Sequence, residues 1–169
     1  MSPFRLALIS TGGTIEKTYQ PGSGQLRNET SVLEFMLSHL ELPDIVIERI
    51  ALMNKDSLEM DQSDHRLIAA TALEQSRSGD GVIVVHGTDR LAASGEATVA
   101  AGVPAAPIVF TGAIRPYELR HTDAMQNLTE ALLAVRLLEP GVYVAIHNKV
   151  LEFPGVVKDY ESGTFIAIG

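Results

Sequence analysis

The chain has 169 residues, with 13 Lys and Arg against 21 Asp and Glu, a formal net charge of −8. Hydrophobic residues at 46% and charged residues at 20% are the composition of a folded globular protein, and the length suits one domain. The absence of cysteine excludes disulfides, thiolate chemistry, zinc fingers and iron–sulfur clusters. The acidic balance opposes binding to nucleic acid or to an anionic membrane.

In chain order, residues 4–10 read as a first strand and residues 29–40 as a helix, with Asn28 as its N-cap and Val32, Phe35, Met36 and Leu40 on one stripe. A strand over 45–52 follows. The helix over 61–77 opens with acidic residues at its positive end, and Gly79 stands where a left-handed C-terminal residue is wanted. Residues 81–86 are a strand, 92–101 a helix and 108–111 a strand. Residues 122–138 form the clearest amphipathic helix, stopped by Pro140 and Gly141, and 142–147 a further strand. The strands are rich in Ile, Val and Leu and read as buried on both faces. The tail, 150–157 and 163–168, reads as extended segments or a terminal hairpin. This alternation implies an α/β fold: a single doubly wound, mostly parallel sheet flanked by helices, in one domain over 1–169. No apolar run reaches the roughly 20 residues of a membrane helix; the stretch from Ala100 to Phe110 is broken by Pro104 and Pro107. The N-terminus has one Arg and too short an apolar run for a signal peptide, so the cytoplasm is the expected location.

Ligands of open α/β sheets bind beyond the carboxyl ends of the strands. There this sequence places Ser10-Thr11-Gly12-Gly13-Thr14-Ile15, Met53-Asn54-Lys55-Asp56-Ser57, Gly87-Thr88-Asp89-Arg90 and Gly112-Ala113-Ile114-Arg115-Pro116. The glycine pair matches neither GxGxxG nor GxxxxGK[ST], so dinucleotide and P-loop readings fail on spacing. A tight turn is the plain reading of Gly12 and Gly13. Thr14 and Thr88, on adjacent loops beside glycines, suggest more: a threonine hydroxyl becomes a nucleophile once a base takes its proton. Backbone N–H groups beside glycine are free to face a developing oxyanion.

The strings Thr11-Gly12-Gly13-Thr14-Ile15 and His86-Gly87-Thr88-Asp89 resemble the two signature motifs of the bacterial-type L-asparaginase/glutaminase family. Asp56-Ser57-Leu58-Glu59-Met60 is similar to its substrate-carboxylate loop, Gly112-Ala113-Ile114-Arg115-Pro116 to its GAMRP segment, and Lys158 falls where the family keeps its catalytic lysine. The resemblance implies hydrolysis of L-asparagine, with minor glutaminase activity, through a threonine acyl-enzyme and without a cofactor. Thr14 would be the nucleophile, and Tyr19 would activate it or close over the substrate. Thr88, Asp89 and Lys158 would form a second cluster. Asp89 would hold the α-amino group, Ser57 the α-carboxylate and Ala113 the amide nitrogen through its carbonyl, with Asp56 and Gly13 also lining the substrate site. The polar, glycine-rich stretch around Tyr19 is expected to be a mobile lid. The resemblance further implies a homo-oligomer, dimer or tetramer, and a second C-terminal domain that this chain is read as lacking. Leu58 stands where many relatives place a polar residue.

His39 and His65 are expected to face solvent from helices, His86 and His147 to be hydrogen-bonded at strand ends, and His121 to lie in a loop or cap. None has metal-site spacing, so no metal is expected. Asp123 suits an N-cap as well as a site. Asn28-Glu29-Thr30 and Asn127-Leu128-Thr129 match the glycosylation pattern but fall in helical patterns and are set aside. Other readings of the site are an amidase for D-asparagine or a larger amide, the amidase part of an amidotransferase assembly, and an amino-acid sensor without turnover.

Overall fold

The computed structural model describes residues 2–27 and 32–169. Its main sheet has six strands. β1 (Phe4–Gly12) lies between β4 (Ile45–Lys55) and β5 (Gly81–Val85), followed outward by β6 (Ile108–Thr111), β7 (Val142–Ile146) and β8 (Lys149–Glu152). The first five are parallel, with Leu6 opposite Gly81 and Val82 opposite Ile108; β8 alone is antiparallel, against β7. Two short antiparallel ribbons complete the strands: β2 (Thr18–Gln20) with β3 (Gln25–Arg27), and β9 (Val156–Asp159) with β10 (Thr164–Ala167).

Helices cover both faces. α1 (Leu33–Ser38) and α4 (Ala124–Leu137) pack on Leu6, Leu8, Ile83, Val85 and Val109. α2 (Gln62–Ser78) and α3 (Leu91–Ala101) pack with the β9–β10 hairpin on Ala7, Ile9, Val82, Val84, Ile108 and Phe110. The alternation of side chains along each strand thus feeds two cores, and β5 to β7 are continuous apolar runs because both of their faces are covered. From β1 the chain winds first to β4 and then back to β5. The topological switch therefore lies between β1 and β5.

Several expectations are corrected. β4 is an edge strand, largely exposed with alternating burial, and it runs three residues further than the predicted segment. Helix 29–40 begins at Leu33 among the described residues, and Asn28 lies outside them. Phe35 does not join the stripe: Leu33 and Met36 are buried while Phe35 is 56% exposed, its ring against His39 and Tyr117. Gly79 has φ −114°, not a left-handed value; a Cβ there would meet the Arg5 carbonyl oxygen at 3.0 Å, so close approach accounts for it. The segment 150–157 divides at Phe153–Gly155, giving one half to the main sheet and the other to the terminal hairpin. Among the described residues, no helix is long and apolar enough to cross a membrane.

Candidate active site

Four loops at the carboxyl edge of the sheet press backbone against backbone. Gly13 has φ 88°, and a Cβ there would lie 2.6 Å from the Gly87 nitrogen; one on Gly87 would lie 2.7 Å from Ser57 Oγ. A Cβ on Gly112 would meet the His86 carbonyl oxygen at 2.2 Å, and one on Gly12 the Lys55 backbone at 2.8 Å. The glycines are required because the loops after β1, β4, β5 and β6 converge where any side chain would hold them apart. Their meeting point is the crevice at the β1–β5 switch, the position at which open α/β sheets bind ligands.

The threonines divide into two pairs. Thr11 donates its hydroxyl to the Val85 carbonyl at 2.8 Å, and Thr111 donates to the Ala145 carbonyl at 2.8 Å, so both stitch neighbouring strands together. Thr14 opens the 3-10 turn Thr14–Glu16 and is half-buried; among the described residues its hydroxyl takes no hydrogen-bond partner. Thr88, 4% exposed, accepts a hydrogen bond from Lys158 Nζ at 2.9 Å, and the same ammonium lies 2.6 Å from Asp89 Oδ1. Lys158 reaches them from β9 because the hairpin packs on the α3 face of the sheet. Its side chain is 12% exposed and its Nζ lies 4.8 Å from the centre of the Tyr160 ring.

Ser57 is buried beside Gly87, and its Oγ accepts from the Arg90 N–H at 3.3 Å. Asp56 instead holds the loops together: its carboxylate accepts from the Leu58 N–H at 3.0 Å and pairs with Lys17 at 3.2 Å. The Leu58 hydrogen bond and then Lys17 hold that carboxyl below the usual range. Leu58 is exposed. Ala113 is buried in the Gly112–Ile114 loop, which Asn127 and Asp123 anchor. Asn127 donates to the Gly112 carbonyl at 2.9 Å, and Asp123 accepts from Ile114 and Arg115 N–H at 3.0 and 2.9 Å. Asp123 occupies the N-cap position of α4 but gives it no side-chain cap, and it also pairs with His147 Nε2 at 2.7 Å.

Among the described residues no hydrogen bond joins Tyr19 to Thr14. Tyr19 is 55% exposed on the β2–β3 ribbon, and its backbone N–H is held by the Glu118 carboxylate. His39 is exposed, His121 lies in a turn ahead of α4, and His86 and His147 are hydrogen-bonded, as expected. His65 departs from expectation: it is buried and bonded to Ser94. Lys17, Glu118, Ser94 and Asn127 are contributions that motif reading missed, whereas Asp123, open in sequence as a cap or a site residue, serves as the anchor of the Gly112–Ile114 loop. A signal existed for Ser94 and Asn127, each a polar residue within an apolar helical stripe. Among the described residues, no three His, Asp or Glu side chains cluster to hold a metal.

Comparisons with known proteins bear on this arrangement. The chain is 30% identical over 162 residues to an L-asparaginase of Thermococcus kodakarensis, covering 94% of this chain and 49% of that protein. The structure of that enzyme superposes with a TM-score of 0.85 at 28% identity, over 97% of this chain and 51% of the other. A subunit of the glutamyl-tRNA(Gln) amidotransferase of Methanococcus vannielii is 26% identical over 86% of this chain and 34% of its own length. A probable cytoplasmic L-asparaginase of Campylobacter jejuni superposes with a TM-score of 0.72 at 25% identity, over 97% of this chain and 51% of that one. The chain thus spans about half the length of the asparaginases and about a third of the amidotransferase subunit. A family model described as asparaginase, N-terminal, matches residues 5–163, and the chain belongs to that family.

Proposed function

We propose that this crevice hydrolyses the side-chain amide of L-asparagine to L-aspartate and ammonia, with glutamine a lesser substrate. The observation that carries the reading is the sheltered Lys158–Thr88–Asp89 cluster set beside the Thr14 loop at the sheet's switch point. An amino acid brings an ammonium and a carboxylate to its site. Asp89, with one oxygen taken by Lys158, offers the other to the ammonium, and the Ser57 loop meets the carboxylate. Thr14 Oγ attacks the amide carbon, the C–N bond breaks, and the proton from Thr14 leaves with ammonia. The Gly13 backbone N–H faces the transient oxyanion and the Ala113 carbonyl steadies the amide nitrogen. Water then cleaves the aspartyl ester, handing a proton back to Thr14. Thr88 and Lys158, already 2.9 Å apart, are spaced for that proton transfer. One extra methylene is worth only about 1–3 kcal/mol of discrimination in a pocket, so glutamine is disfavoured and not excluded.

The chemistry needs no cofactor. We assign it to the cytoplasm, in keeping with the name of the Campylobacter relative, and to a homo-oligomer, dimer or tetramer, which light scattering reads. The amidotransferase relative favours a second reading, an amidase that turns over with a partner. Ammonia release from L-asparagine, L-glutamine and D-asparagine, beside a Thr14→Ala control, separates the possibilities. Release from L-asparagine that falls at least about a thousandfold in the control is expected. Release that survives moves the nucleophile to Thr88. No release, with aspartate still raising the melting temperature, points to the sensor or to the partner-dependent amidase.

A further inference from the structure

Behind the Thr88 loop lies a buried polar chain that the proposed reaction does not use. His86 Nδ1 is 2.7 Å from the Gly87 carbonyl oxygen, which can only accept, so Nδ1 carries the proton. Burial keeps this imidazole neutral, pushing it down to about 4, and Nε2 is therefore an acceptor. The atom 2.8 Å from Nε2 is Ser94 Oγ, so the serine hydroxyl points its proton at His86. That proton being committed, Ser94 Oγ can only accept from His65 Nδ1, 2.7 Å away. The hydrogen bonds run one way: His65 Nδ1–H to Ser94, Ser94 O–H to His86, His86 Nδ1–H to the Gly87 carbonyl.

Two plainer interpretations fit less well. A serine beside a histidine resembles an activated nucleophile, but Ser94 is 0% exposed and no substrate reaches it. A filler role does not require three desolvated polar side chains, since apolar residues would occupy the volume without their hydration cost. What the chain does hold is the Gly87–Thr88 peptide. In a trans peptide the carbonyl and the following N–H point in opposite directions. With the Gly87 carbonyl drawn inward to His86, the Thr88 N–H must point away from the buried chain, while Thr88 Oγ1 meets Lys158. The same glycine is the contact surface of Gly13, so a tilt of this peptide also disturbs the Thr14 loop.

We infer that Ser94 and His65 are positioning residues, which lock His86 in its Nδ1–H tautomer and thereby fix the peptide that presents Thr88 to the substrate. The kinetic arm of the test rests on the amidohydrolase reading; the spectroscopic arm does not. Long-range proton–nitrogen NMR of the histidine-labelled protein, with His65 and His86 assigned by substitution, should show both in the Nδ1–H form at neutral pH. Either one in the Nε2–H form overturns the chain. Ser94→Ala should lower kcat on asparagine by about tenfold with KM held within about twofold. His65→Leu should do the same, while His65→Asn, whose amide nitrogen stands where Nδ1 does, restores most of the rate. Wild-type kcat in Ser94→Ala, or His65→Asn no better than His65→Leu, refutes the positioning role; should Ser94→Ala fail to fold, the His65 pair decides it. If the wild type releases no ammonia, the amidohydrolase reading fails by itself. The tautomers then decide the chain, and the Thr88 amide resonance decides positioning: displaced in Ser94→Ala and His65→Leu supports it, unmoved refutes it.

Discussion

His86 pairs a structural duty with a thermodynamic consequence. An exposed histidine titrates near 6.5, but burial holds His86 neutral to about 4. Between those values the unfolded chain binds a proton that the folded chain refuses, so folding is favoured fully above about pH 6.5 and progressively less as the pH falls toward 4. The loss from this group amounts to about 3 kcal/mol at most. His65, depressed mainly by burial and then by Arg90, adds in the same direction. The carboxyls of Asp56, Asp61 and Asp64 sit below their ordinary value and lose their contribution only at lower pH still. Urea unfolding should therefore show a lower midpoint at pH 5 than at pH 7.5. Equal midpoints would contradict a buried, neutral His86. The site motifs are readable at this scale because glycines and threonines sit next to one another in sequence. Asp56 is readable as part of the rim but not as the partner of Lys17, since that contact spans 39 positions and depends on the fold.

Among the elements, α3 shows a local rule overridden by packing. Gly95 lies inside this helix, where Ala would ordinarily be favoured by about 1 kcal/mol. A Cβ at Gly95 would sit 2.3 Å from Phe153 Cζ, and that ring is itself buried edge-on against Phe110. Gly95→Ala should then destabilise by about 1–3 kcal/mol, lowering the melting temperature by several degrees; a rise would show that the ring moves aside. The strongly periodic helices and the β-rich runs are legible in sequence because each buries a continuous face. The limits of α1, the exposure of Phe35 and the edge position of β4 are not, because neighbouring elements decide them. The β2–β3 ribbon falls in a stretch that reads as a loop, its strands being only three residues long. We take this ribbon as the lid, its Tyr19 closing on substrate by release of the Glu118 contact. Aspartate should slow proteolysis between Lys17 and Gly24. Identical cleavage with and without aspartate would remove the lid.

For the molecule as a whole, the decisive feature is order of winding. A chain that passes from β1 to β4 and returns to β5 leaves a crevice between β1 and β5, and both glycine–threonine loops open into it. Alternation of strands and helices predicts the sheet and the rim. Strand order is not readable, because it rests on pairings far apart in sequence such as Leu6 with Gly81. Nor is the route by which Lys158 returns to Thr88 across 70 positions, which depends on the hairpin packing against α3. The central claim is that Thr14 carries the acyl group. The most direct measurement is a rapid acid quench of the protein turning over L-asparagine, followed by peptide mapping of the esterified residue. An aspartyl ester on Thr14, lost in Thr14→Ala, is the predicted result. An ester on Thr88, with Thr14 unmodified, would contradict it.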